Sequence, residues 1–166
     1  FGEQSVQLLL EVLLQPQSSS LQCGLAQWGL AFVGAKAADS LKNAAKSENW
    51  KIRAAAIAAL GEQINFSDDQ EAKKIVQDAL SDESSEVRAE ATILLSKINT
   101  SDATKSFLAE MLDDNSPEVR KNAALSIMKI GIYEDRNLIE KRKSIEKDLE
   151  VKKVLRFVIS QLTKLN

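Results

Sequence analysis

The chain has 166 residues, of which 44% are hydrophobic and 28% charged, and its formal net charge is −2. That size suits one domain able to bury a core, and the charge balance offers no global attraction to nucleic acid or to an anionic membrane. There is no histidine and a single cysteine, Cys23, which excludes an internal disulfide, a thiolate metal cluster and the commonest general base.

In chain order, the first 34 residues carry the weakest pattern. The apolar stretch from Leu8 to Leu14 is broken by Glu11 and falls far short of the ~20 residues that a membrane span needs. No basic-then-apolar leader opens the chain, and its start at Phe1 reads as a processed protein or a piece of a longer one. A degenerate helical copy begins near Ser19. The lone Cys23 suits a reducing, cytoplasmic compartment and reads as a buried structural residue, because nothing in the neighbouring sequence lowers its pKa.

From residue 35 the pattern sharpens. Asn49 precedes a stripe of Ile52, Ala56 and Leu60. A helix from Gln70 to Leu80 follows, with Ala72, Ile75, Val76, Ala79 and Leu80 on one side. Ser84 then precedes Val87, Ala91, Leu95 and Ile98. A helix from Ala103 to Leu112 carries Phe107, Leu108, Met111 and Leu112. Ser116 and Pro117 precede Val119, Ala123, Ile127 and Ile130, and Asp148 precedes Val151, Leu155, Ile159 and Leu162. These spacings are helical.

The copies share one phase. Val87, Val119 and Val151 are 32 residues apart, and Ile52 stands 35 before Val87. Three places before each lies Asn49, Ser84, Ser116 or Asp148, all good N-caps. Pro117 sits where a missing N–H costs nothing, and Glu86, Glu118 and Glu150 face the positive end of the helix dipole. Asp68-Asp69 and Asp113-Asp114 read as caps in the same way, and Gly61 and Gly131 as helix stops. Short polar links such as Ser81-Asp82-Glu83 and Asp113-Asp114-Asn115 force antiparallel neighbours. One pair cannot cover its own apolar face, so pairs must stack. The expected fold is all-α, a right-handed superhelix of about five antiparallel helix pairs, with residues 1–166 as one domain. Residues 1–34 form its degenerate first repeat and 35–166 four clearer ones.

The run Asp-x-x-x-x-Val-Arg-x-x-Ala occurs at Asp82 to Ala91 and at Asp114 to Ala123, and Ile52 to Gly61 and Ile130-Gly131 supply further pieces of the same consensus. It resembles the HEAT-like repeat family, in particular the short-repeat subclass associated with phycobilisome lyases. The resemblance implies a solenoid and a ladder of ion pairs, in which Asp82 and Asp114 pair with Arg88 or Arg120 and Arg53 extends the row. Ser47 in place of the Asp and Lys152 in place of the Arg weaken it at the ends, since Lys lacks the bidentate fork.

No catalytic, metal or cofactor group is expected. The sharper expectation is a row six places after the Val position, Ala58, Ile93, Leu125 and Phe157, joined by Trp28 if the first copy starts at Gln22. Such a row forms either a groove for a partner's helix or extended segment, or contacts between successive repeats. Lys152, Lys153 and Arg156 flank it, with Lys141, Arg142 and Lys143 on the preceding helix; they either meet an acidic partner or are simply solvated. Residues 61–118 hold 14 acidic against 5 basic side chains, which disfavours nucleic acid. The expected function is a non-catalytic scaffold holding another protein on a concave wall. The alternative, implied by the resemblance alone, is a bilin lyase-like or phycobilisome-associated chromophore-handling protein.

Overall fold

The computed structural model describes residues 2–15, 17–33, 37–64, 69–98, 102–130 and 136–165. All regular structure among them is helical. Two compact units divide the chain, residues 1–94 and 95–166.

The first unit comprises α1 (Gly2–Leu14), α2 (Ser20–Val33), α3 (Ala38–Ala44), α4 (Trp50–Ile64), α5 (Gln70–Asp78) with a following 3-10 turn (Ala79–Ser81), and most of α6 (Ser85–Ile98). α4 is its centre, packing on α1, α2, α3 and α5. Its alanines explain how: Ala55, Ala56 and Ala59 are buried along with Ile57 and Leu60, and small side chains let several helices approach one axis. The second unit holds α7 (Asp102–Met111), α8 (Pro117–Ile130), α9 (Arg136–Ile145) and α10 (Leu149–Leu162), ending in a 3-10 turn (Thr163–Leu165). α8 packs on α7 and α10, and α10 also on α9.

The helix starts follow the capping residues. Asn49 accepts the Lys51 amide, Asp69 that of Ala72, and Asp148 those of Glu150 and Val151. Ser84 stands at its expected place, but its hydroxyl donates to the Glu86 carboxylate instead of accepting an amide. Asp68 and Gly131 lie outside the described residues, as does the Cys23 side chain.

Two expectations need correction. In α10 the buried stripe is Val151, Leu155, Val158 and Leu162, with Ile159 only half-buried. Eight residues overshoot two turns by about 80°, whereas seven fall short by about 20°, so Val158 stays on the core axis. Gly61 is not a helix stop. It lies inside α4, buried, and a methyl group there would run into the side chain of Leu94, itself 1% exposed. The glycine is required by close approach, not by a turn.

Gly61→Ala is therefore expected to lower stability although alanine favours helix. The overpacking cost of about 1–3 kcal/mol exceeds the propensity gain of about 1 kcal/mol, and urea unfolding of the two proteins measures the difference. A Gly61→Ala protein as stable as the parent removes the close-approach argument.

Candidate functional site

The links between paired helices repeat one hydrogen-bond scheme. Five residues before the Val or Ile position stand Ser47, Asp82, Asp114 and Glu146. Each accepts the backbone N–H of the residue two further on: Ser47 Oγ from Asn49, Asp82 Oδ1 from Ser84, Asp114 Oδ1 from Ser116 and Glu146 Oε1 from Asp148. The arginine just after the Val or Ile then closes the link from the helix side. Arg53 Nη1 donates to the carbonyls of Ser47 and Glu48, Arg88 Nη1 to those of Asp82 and Glu83, and Arg120 Nη1 to those of Asp114 and Asn115.

The other edge of the guanidinium reaches the next link. Arg53 grips Asp82 through Nε and Nη2, both at 2.8 Å. Arg120 grips Glu146 in the same way at 2.8 and 2.9 Å. Asp82 thus receives the Arg53 fork, while Arg88 binds it through the main-chain carbonyl, and the fork of Arg120 goes to neither Asp82 nor Asp114. The reason is geometric: Nη1 is occupied by the arginine's own link, so only the far edge remains, and it points forward. Glu146 went unrecognised in the sequence because it is a glutamate in an aspartate position; its place five residues before Val151 was the available signal.

Glu146 is 3% exposed and also pairs with Arg142 at 3.0 Å. Burial alone would raise its pKa, but Arg120 and the amides of Asp148 and Lys147 outweigh burial and hold it down to about 2. Asp82 is lowered too, burial being overcome by Arg53 and the Ser84 amide. Asp69 is lowered by Lys42, which also bonds Glu71, and by the Ala72 amide. Carboxylates moved down in this way are poor proton carriers at neutral pH. Among the described residues no group of three or more His, Cys, Asp or Glu side chains is placed to hold a metal.

The candidate docking residues divide between the units. In the second, Leu125 on α8 is 38% exposed and Phe157 on α10 50% exposed, at equivalent places on two helices that pack together. Lys129 lies one turn beyond Leu125 and is exposed. Beside Phe157, Arg156 is exposed and Lys153 binds Glu150 at 2.6 Å. Arg142 belongs to the ladder and not to a free basic patch: it bonds Glu146 and the Leu112 carbonyl. In the first unit, Ile93 is half-buried on α6, and Trp28 is exposed on α2 with its ring stacked on Phe32. A cleft of about 350 Å³ opens there beside α1, α3 and the start of α4, lined by Val6, Leu10, Glu11, Ser40, Asn43 and Ile52 among others, with no cationic side chain among its described lining residues.

The family model for HEAT repeats matches residues 38–129 and 79–142, together more than half of the chain. This chain belongs to the HEAT-repeat family. A relative, the bilin biosynthesis protein MpeU of Synechococcus sp. (strain WH8020), is 37% identical over 95 residues, 57% of this chain and 32% of its own length. The chain thus matches about a third of that curated relative. Among solved structures, the complex of CpcE and CpcF of phycocyanin lyase from Nostoc sp. PCC7120 is similar, with a TM-score of 0.72 at 15% identity, covering 93% of this chain and 97% of the other. A designed armadillo repeat protein in complex with the peptide (KR)4 matches with a TM-score of 0.60 at 20% identity, covering 97% of this chain and 81% of the other. Both likenesses are of fold. Among the described residues no helix of this HEAT-repeat chain is long and apolar enough to cross a membrane.

Glu146 generates a pH prediction. Its folded pKa is depressed, so its contribution is complete above the unfolded value near 4.5 and is lost as pH falls towards about 2. Glu146→Gln, which removes the buried carboxylate that Arg120 grips and Arg142 pairs with, is expected to cost about 3 kcal/mol at pH 7. Its stability gap to the parent should narrow steadily from pH 4.5 to pH 2. Urea titrations across that range measure it, and a constant gap contradicts the ion pair.

Proposed function

We propose that this chain is the protein-holding repeat module of a bilin-handling assembly. In this reading it docks a protein on the α8–α10 face of its second unit and leaves pigment chemistry to groups it does not supply. The observation that carries the proposal is the 37% identity over 95 residues with a bilin biosynthesis protein. The likeness of fold to a chain of the CpcE and CpcF complex of phycocyanin lyase supports it.

The chemistry of the chain favours holding over reacting. Its perturbed carboxylates are engaged with arginine, lysine or backbone amides, and a general acid needs a carboxyl raised towards neutrality. The cleft beside α1 has no described cation to receive the carboxylates of a tetrapyrrole. The α8–α10 face, in contrast, combines half-exposed apolar side chains with Lys129 and Arg156 around them. That arrangement fits a protein surface with an apolar centre and an acidic rim.

The test is co-production of the chain with a phycobiliprotein subunit and its bilin, with adduct followed by visible absorbance on the purified subunit. Replacing Leu125 and Phe157 together by Ser should reduce adduct about tenfold or more, as expected for two central contact residues. Because both are substantially exposed, the circular dichroism of the chain should not change. Equal adduct with and without the chain removes the bilin-handling reading. Equal adduct with parent and double variant removes the α8–α10 face.

A further inference from the structure

α2 is apolar on two sides, and only one is used by the fold. Ala26 and Leu30 are buried where α2 packs on α1 and α4, and Gly29 lies against Leu9. On the other side Leu21 is 72% exposed, Leu25 58%, Trp28 66% and Phe32 79%. At about 100° per residue, these four fall within a sector of about 60°, roughly opposite Ala26 and Leu30. Their 4-3-4 spacing is that of a helix-pairing seam. Trp28 and Phe32 are already stacked, with ring centroids 5.5 Å apart and planes 20° off parallel. On the same side Gly24 has nothing within 4 Å of where a Cβ would be. A glycine inside a helix costs stability; this one leaves a flat place in the seam on which another backbone can lie.

A solvent-facing helix ordinarily carries charge on its outer side. From Val12 to Ala35 the sequence has 24 consecutive residues without an acidic or basic side chain. An amphipathic helix on a membrane surface uses Lys and Arg on its polar face, and α2 has none. A partner chosen by charge would meet no acidic or basic side chain of α2 to pair with, and a charge it placed against this stripe would be buried unpaired. An identical uncharged stripe satisfies these demands by construction, and twofold pairing places each stripe on its copy. Together the four side chains expose on the order of 600 Å², a large part of the roughly 800 Å² per partner that a stable dimer covers. We infer that the chain forms a twofold dimer through α2, with Leu21, Leu25, Trp28 and Phe32 of one copy packed on those of a second around Gly24. α2 belongs to the first unit and the α8–α10 face to the second, and the inference does not depend on the bilin-handling reading.

Light scattering coupled to size exclusion, with sedimentation equilibrium over a range of micromolar concentrations, tests it. The expected mass is twice 18.3 kDa. Leu25→Glu combined with Phe32→Glu is expected to weaken dimerisation at least about a hundredfold, giving the single-chain mass, because two carboxylates would be buried in each half of the seam. The variant should keep the helical circular dichroism of the parent, since neither side chain is in the monomer core. Gly24→Leu should also weaken the dimer while leaving that spectrum intact, whereas Ile145→Glu with Leu149→Glu should leave the dimer unchanged. A parent of single-chain mass at every concentration overturns the inference, including when that monomer co-sediments with phosphatidylcholine vesicles. A dimer that survives Leu25→Glu and Phe32→Glu overturns it too.

Discussion

A guanidinium group has five N–H donors in a rigid plane, and this fold spends them on two tasks at once. In Arg53 and Arg120, Nη1 holds two carbonyls of the link that precedes the arginine's own helix, and Nε with Nη2 grips the carboxylate of the following link. That carboxylate in turn fixes the amide two residues on. One planar side chain therefore sets both the shape of one turn and the distance to the next. Both arginines are 8% exposed, a placement that is tolerable for a charge only when its partners are close and its donors are filled. Lysine cannot replace this, because an ammonium offers one point and not two edges.

The ladder also shows why repeat spacing was easier to read than repeat pairing. The helix starts at Trp50, Ser85, Pro117 and Leu149 follow from residues within one turn of them, and local chemistry is written locally. The forks join residues 29 and 26 apart. Which acid meets which arginine depends on the direction a guanidinium edge takes after its own turn is closed, and no local pattern contains that. Glu146 illustrates the difference. Its extra methylene departs from the aspartate of the other links, yet it accepts the same amide and receives the same fork. Position carried the role, and residue type concealed it. Ser47 is the converse: it keeps the amide-accepting half and, lacking charge, offers no anion to an arginine.

Gly61 was legible as a special position but not as the right kind. A glycine after a helical run reads as a stop, and only the Leu94 side chain lying against it identifies a close approach. The row six residues after the Val position was legible for a simpler reason. Six residues turn a helix by about 600°, which places a side chain roughly 120° from the core axis, at the flank of the buried stripe. Leu125 and Phe157 are accordingly part-exposed, and Ile93 is half-buried. Trp28 had no firm register, because α2 lacks charges to mark its wet side, and it falls on the helix face that the fold leaves uncovered.

Counting charges along a chain overstates what a surface can offer a partner. Residues 136–166 hold nine basic and four acidic side chains, which reads as a basic patch. Arg142 is committed to Glu146 and the Leu112 carbonyl, Arg136 to Glu140, and Lys153 to Glu150. Two acids of the first unit are committed in the same way: Asp82 belongs to Arg53, and Asp69 to Lys42 and an amide. A charge already paired steers a partner weakly, and a carboxylate already paired is hard to protonate. Apolar area that the repeats leave open, such as Leu125 and Phe157, is edged by cations outside these pairs such as Arg156. In the docking proposed above, specificity rests on shape and apolar fit, which favours a protein surface over a small anionic ligand.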